Sequence, residues 1–360
     1  MIKRRTALRL LGVSLAAPLV AADVADGDLR TWVTAQGGDV EYDEAGHVVG
    51  VRFGFTWVAD GDLDRIAGIQ SLKRLNLSLT RVTDLGIERI RHLTGIEELN
   101  LYACEHISDT ALAHLREWTN LRKLNLRGTD ITDTGLAYIA VHKNLEVLDI
   151  SVTQATDNGM EHLAELTKLR ELNLGANKMS ALGLPILQLL PNLTTLNLSG
   201  RQMRNSGFWD VAVTDLDIEV VTQLAQLEHL DVAGLRLSDL GVKKIAGLGQ
   251  LRSLDLSRTD VGADGVLALT ALKNLRTLHL GGAEKIDASA ALHLTSASSL
   301  TTLDLSYTKV VDHWLGAFRS MRNLKTLYLD DTRVSAAGIA KLRRERPDCE
   351  IYWTAAPDAA

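Results

Sequence analysis

Apolar residues recur along this chain in one short phrase, Leu-x-x-Leu-x-Leu. It begins at Leu72, Ile96, Leu121, Leu145, Leu169, Leu193, Leu227, Leu251, Leu275, Leu300 and Leu324. The steps are 24 or 25 residues, except for one of 34 between Leu193 and Leu227. Within "LRKLNL", Leu124 and Leu126 alternate with polar Lys123 and Asn125, the period of a short strand with one buried face. Thr129 falls where the chain must leave that strand, and Thr80, Thr153, Thr259, Thr308 and Thr332 take the same slot. A buried hydroxyl there answers loop backbone groups; Asn177 and Cys104 replace it in their repeats. Asp133 then reads as a helix N-cap, matched by Asp84, Asp109, Asp157, Asp215, Asp239 and Asp312. Leu136 and Ile139 follow at helical spacing.

One such strand and one short helix cannot bury their apolar faces alone, whereas stacked copies can. The whole phrase, clearest in "LRKLNLRGTDITDTGLAYIAVHKN" (Leu121–Asn144), resembles the leucine-rich repeat, in its short cysteine-containing or ribonuclease-inhibitor-like form. That resemblance covers about four fifths of the chain. It implies an α/β fold: a right-handed solenoid of about 11 repeats, with a concave parallel sheet, convex helices and a cap at each end.

The expected organisation is an export signal over 1–22, an N-terminal cap and degenerate first repeat over 23–70, and repeats over 71–347. A cap strand over 348–353 and a loose tail over 354–360 complete it. The 34-residue step marks a ten-residue insertion near 203–213. Since Val213 stands as far from Leu227 as Val82 does from Ile96, the extra residues enter after the strand and before the helix, on the rim of the sheet.

Basic "MIKRR", the apolar stretch Leu10–Ala22 and the small residues "VAA" before Asp23 form the export signal. Arg4-Arg5 resembles the twin-arginine variant. Its removal leaves 35 basic against 45 acidic residues, net −10. That balance disfavours nucleic acid, whose binding rests on phosphate neutralisation, and anionic membrane surfaces. The expected protein is a monomer, periplasmic or extracellular, with no membrane insertion once the signal is gone. Cys104 and Cys349 lie about ten repeats apart, so no disulfide framework exists.

Catalytic signatures are missing: no P-loop, GxGxxG after a strand, HExxH or GxSxG occurs. Chemistry is therefore sought on the concave face, where one exposed residue per strand forms a column. It reads Asn76, Asn100, Asn125, Asp149, Asn173, Asn197, Asp231, Asp255, His279, Asp304 and Tyr328. Asn and Asp are poor strand formers, so the column asks for a reason. An amide ladder is the expected one for the Asn-rich half.

Asp231, Asp255, His279 and Asp304 on four successive rungs define an acidic patch for a partner's basic groups. Asp255, His279 and Asp304 are also weak candidates for a metal, against which a straight row spreads its ligands too far. Flanking charges alternate in sign and can pair across strands. By residue type, Arg74, Tyr102, Arg127, Tyr328 and, in the insertion, Arg204, Phe208 and Trp209 are the candidate partner anchors. The reading is a non-catalytic scaffold for a protein partner, without cofactor. Its alternatives are a metal-dependent binder or hydrolase on the Asp/His row, and a purely structural envelope protein.

Overall fold

The structure, a computed structural model, describes residues 26–200 and 211–355. Fourteen strands among these form one sheet whose spatial order is their order along the chain. Asp39–Tyr42 and Val48–Arg52 pair antiparallel; every later neighbour pair is parallel. The repeat strands are three residues long and stay in register, so that Leu75, Leu99, Leu124 and Leu148 stand side by side. Helices or 3-10 turns, such as Asp133–Ile139 and Asp157–Leu163, return the chain along the opposite layer.

Seven residues are too few for a helix to persist on its own. Packing supplies the stability: Leu121, Leu124, Leu126, Ile131, Leu136 and Ile139 of one repeat are each at most 1% exposed. The core continues through all rungs without interruption, and aliphatic side chains dominate it.

The turn after each strand is built the same way throughout. Leu79, Ala103, Val152, Ala176, Arg258, Tyr307 and Asp331 have φ between 52° and 59°, and Gly128, Gly234 and Gly282 stand at the equivalent place. The next residue closes the turn as expected. Thr129 donates its hydroxyl to the Leu126 carbonyl at 2.6 Å, and Thr80, Thr153, Thr259 and Thr332 repeat the bond. Asn177 and Cys104 reach one rung further, to the carbonyls of Ile150 and Leu77.

The expected aspartate N-caps are corrected by one position. Thr132, not Asp133, caps the helix, its hydroxyl accepting the Thr134 amide. Asp133 sits in the first turn and reaches the next repeat, where Oδ1 accepts the Thr156 amide at 2.7 Å and Oδ2 the Thr156 hydroxyl at 2.7 Å. The same clasp joins Asp84 to Ser108, Asp109 to Thr132, Asp157 to Ser180, Asp215 to Ser238 and Asp312 to Ser335. Asp239 meets only an amide, that of Gly262. A hydroxyl suffices for the near amide, whereas two carboxylate oxygens can take both donors of the next rung. The clasp explains a glycine three residues past the clasped hydroxyl: a Cβ at Gly159 would stand 2.5 Å from Asp133 Oδ1.

A second stitch runs along the start of the strands. Asn120, Asn144, Asn192, Asn274 and Asn323 each donate their amide to a carbonyl of the preceding repeat. At the N-terminal end, the helix Asp26–Ala35 buries Leu29 and Val33, and Trp32 meets Phe53 edge-on at 5.5 Å. At the other end, buried Arg346 donates to the carbonyls of Phe318, Met321 and Leu324 and pairs with Asp348 at 2.9 Å. A guanidinium offers several N–H donors at once, so Arg346 ties the rung of Glu350–Tyr352 to the one before it.

At the 34-residue step, the chain leaves after the Gly200 amide has bonded the Ala233 carbonyl at 3.0 Å. It returns at buried Val211, and the Ala212 amide donates to Met179 O at 2.8 Å. Val213 is also buried, so the end of the 203–213 range belongs to the packed solenoid. Arg204, Phe208 and Trp209 lie outside the described residues.

Candidate binding face

Each repeat strand sends its leucine into the core and two side chains to the open face, where no described element covers them. The residues of the polar column are direct register partners, from Asn76 beside Asn100 to Asp304 beside Tyr328. Their purpose differs from the expected amide ladder. Asn125 Oδ1 accepts the backbone amide of Arg127 at 3.0 Å, and Asn76, Asn100, Asn173 and Asn197 hold the amide two residues on in the same way. Asp149, Asp231, Asp255 and Asp304 make the identical hook. A short side chain with an acceptor oxygen satisfies the first amide of the turn, which is why Asn and Asp interchange. One side-chain amide of the column does bond between rungs, Asn173 Nδ2 donating to Asp149 Oδ2 at 3.1 Å.

In the C-terminal half each hook leaves a second carboxylate oxygen, and Asp231 and Asp255 are direct register partners. Burial pushes the Asp231 carboxyl up to about 6; the Ala233 amide opposes the rise and the neighbouring Asp255 adds to it. His279 lies 3.5 Å from Asp304 Oδ2, and that contact raises the imidazole above its ordinary value, with Asp255 contributing. Burial works against ionisation of Asp304, yet the His279 contact and the Ser306 amide outweigh it and hold the carboxyl below its usual range. Next along the column, Tyr328 stacks on Tyr352 with ring centres 4.9 Å apart and planes 14° from parallel.

Asp255, His279 and Asp304, the weak metal candidates, stand side by side on successive strands. Among the described residues no group of three His, Cys, Asp or Glu side chains is placed to hold an ion. One oxygen each of Asp255 and Asp304 is already committed to a turn amide, and a straight row cannot converge.

Flanking charges pair across rungs: Lys73 with Glu97, Lys123 with Glu98, Arg122 with Glu146 and Arg252 with Glu228, at 2.6–3.2 Å. Such exposed pairs contribute about 0.2–1 kcal/mol each. Arg74 belongs to this set, paired with Glu41, which Arg52 also holds.

Tyr102 and Arg127 stand off the column, on the turn edge of the sheet, with the guanidinium 6.0 Å from the ring centre. They open a groove of about 660 Å³ that runs along this edge to Asn197 and Ser199. Nearer the N-terminus the same edge carries Phe55 and Trp57, 79% and 76% exposed, with Arg81 lying 4.4 Å over the Trp57 ring. Phe55, Trp57 and Tyr352 escape a reading of the repeat phrase because they belong to its degenerate first and last rungs. The one available signal is the frame itself: Phe55 occupies the left-handed turn position that the next rungs give to Leu79, Ala103 and Gly128.

The sequence model of the leucine-rich-repeat family matches residues 68–90, 119–140 and 251–269. No curated protein sequence matches the chain. Among solved structures, an internalin of Listeria monocytogenes is 18% identical, with 91% of this chain and 93% of that one covered and a TM-score of 0.60. A leucine-rich-repeat protein of Leptospira interrogans is 19% identical over 80% of each chain, with a TM-score of 0.44. The stack of in-register strands and return helices is thus a leucine-rich-repeat solenoid. No described helix is long and apolar enough to cross a membrane.

Proposed function

We propose that this protein is an exported, monomeric, non-catalytic scaffold that binds a protein partner through the open face of its sheet and the adjoining rim. The observation that carries the reading is the uncovered column Asp231, Asp255, His279, Asp304, Tyr328, where carboxylates and stacked tyrosines share one flat surface. A basic, partly aromatic partner surface complements it, since Tyr and Arg contacts dominate binding energy where water is excluded. Arg74 extends the face towards the N-terminal end, and Tyr102 and Arg127 border it. Arg204, Phe208 and Trp209, outside the described residues, complete the proposed set of partner anchors.

Proximity labelling in the exporting cell tests the reading. The labelled set from the native chain is compared with those from Asp255→Lys with Tyr328→Ala, and from a chain lacking 201–210. Loss of one common partner in either variant is expected; an unchanged set in both overturns the proposal in favour of a purely structural role.

A further inference from the structure

The turn edge of the sheet differs chemically from the open face. In the N-terminal half, Arg52, Lys73, Arg74, Arg122 and Lys123 all have a carboxylate partner. Arg81 and Arg127 have none among the described residues; each instead lies over an aromatic ring, Trp57 or Tyr102. A guanidinium that lies over a ring still has its N–H donors available for a carboxylate from elsewhere. Beside them, Phe55 and Leu79 occupy neighbouring left-handed turn positions and are exposed. Exposed aromatic and aliphatic side chains this close together mark an interaction surface.

Past Tyr102 the same turn position shrinks to Ala103, Gly128, Val152 and Ala176, which makes the floor of the groove. From the Tyr102 rung to the Ser199 rung is five strands, about 19 Å at the spacing of neighbouring strands. That length takes about six residues of extended chain. A peptide segment therefore fits the groove in length.

We infer that this edge binds an extended acidic segment of a protein partner, with carboxylates on Arg81 and Arg127 and an aliphatic side chain against Phe55 and Leu79. The two arginines belong to rungs two apart, about 9.6 Å. A polyproline II segment rises about 3.1 Å per residue and repeats every third residue, which brings acids at i and i+3 to that separation on one face. Glu105 and Asp130 also line the groove, so spaced acids fit better than an unbroken polyanion.

The test uses the full chain and a fluorescein-labelled twelve-residue peptide, (Glu-Pro-Leu)₄, read by fluorescence anisotropy. Tighter binding of this peptide than of (Gln-Pro-Leu)₄ is expected, with at least a tenfold loss for Arg81→Glu with Arg127→Glu. Trp57→Ala, at an exposed position that folding does not need, is expected to weaken binding severalfold. Arg122→Glu, on the opposite border of the sheet, is expected to stay within twofold. Equal binding of both peptides, or an unchanged Kd in the double reversal, overturns the inference. So does a concentration-dependent dimer in sedimentation velocity that the double reversal dissolves, which would assign the edge to a second copy. Failure here leaves the open-face reading standing, because Phe55, Trp57 and Arg81 lie outside that face.

Discussion

Asp133 and Thr156 belong to successive repeats, and one carboxylate holds both the amide and the hydroxyl of the other residue. The clasp recurs at most rungs and ties helix starts together where the helices are too short to hold themselves. Two charge-assisted bonds at a half-buried position contribute about 2–3 kcal/mol. Asp133→Ala is therefore expected to lower the urea midpoint clearly. Glu165→Ala, which breaks only the exposed pair with Lys143, should move it by a few tenths of that amount.

Gly241 tests the same clasp from the other side. An added Cβ would stand 2.5 Å from Asp215 Oδ1 and 3.0 Å from Leu237 Cδ2. Ala is intrinsically the better helix former by about 1 kcal/mol, yet Gly241→Ala is expected to destabilise by about 1–3 kcal/mol. In a double-mutant cycle, Asp215→Ala should absorb much of that loss, making the pair less harmful than the sum of its parts. Strict additivity would show that the carboxylate does not dictate the glycine.

The polar column separates two explanations by a single-atom change. If Asn125 serves the Arg127 amide, Asn125→Asp keeps the acceptor and should be nearly neutral, as native Asp149 already is on the next rung. Asn125→Ala leaves the amide to water and should cost about 1 kcal/mol. Thermal unfolding at neutral pH distinguishes these outcomes; equal losses for Asp and Ala would instead favour a ladder of amides.

Asp231 predicts a pH dependence with a definite sign. Folding raises its pKa from 3.8 to about 6, so the folded state prefers the protonated acid. No penalty exists below about pH 4, and it is complete above about pH 6. His279 acts in the same direction, since its raised pKa gives stability that is present below its ordinary value and fades as pH rises through the folded one. Asp304, lowered by folding, supports the fold until pH falls well below 4. Asp231→Asn is expected to raise stability at pH 8 by about 2 kcal/mol or less and to change little at pH 4.5. Melting curves at both pH values check it.

Arg346 is the closing element of the stack. Arg346→Leu would remove one donor each from the carbonyls of Phe318, Met321 and Leu324 and unpair Asp348, at about 2–3 kcal/mol. Arg346→Lys cannot reproduce a three-carbonyl fork and should rescue little. Hydrogen exchange in the helix Ala336–Glu345 reads the local loss.

The repeat frame was legible because Leu124 and its counterparts recur at fixed spacing, and burial of a stacked core admits few arrangements for that period. The threonine turn was legible for the same reason. What Asp133 does was not, because aspartate and threonine both cap helices well, and only the neighbouring repeat decides which of them faces inward. The column misled similarly: an Asn that binds its own backbone and one that binds the next rung leave the same letter at the same position. Arg346 reads as an ordinary solvated charge, because nothing in its own stretch of sequence shows that the carbonyls of Phe318, Met321 and Leu324 converge on it. Phe55 and Trp57 sit in a rung too degenerate for the phrase to align.

The central claim is that the open face, not the helical back, meets a protein partner. Photo-cross-linking amino acids placed singly at Asn125, Asp255 and Tyr328 on the open face, and at Arg116, Glu161 and Lys244 on the helical side, test it in the producing cell. The account predicts one shared cross-linked partner from the first three positions and none from the second. Cross-links confined to the helical side, or none at all from the open face, would contradict it.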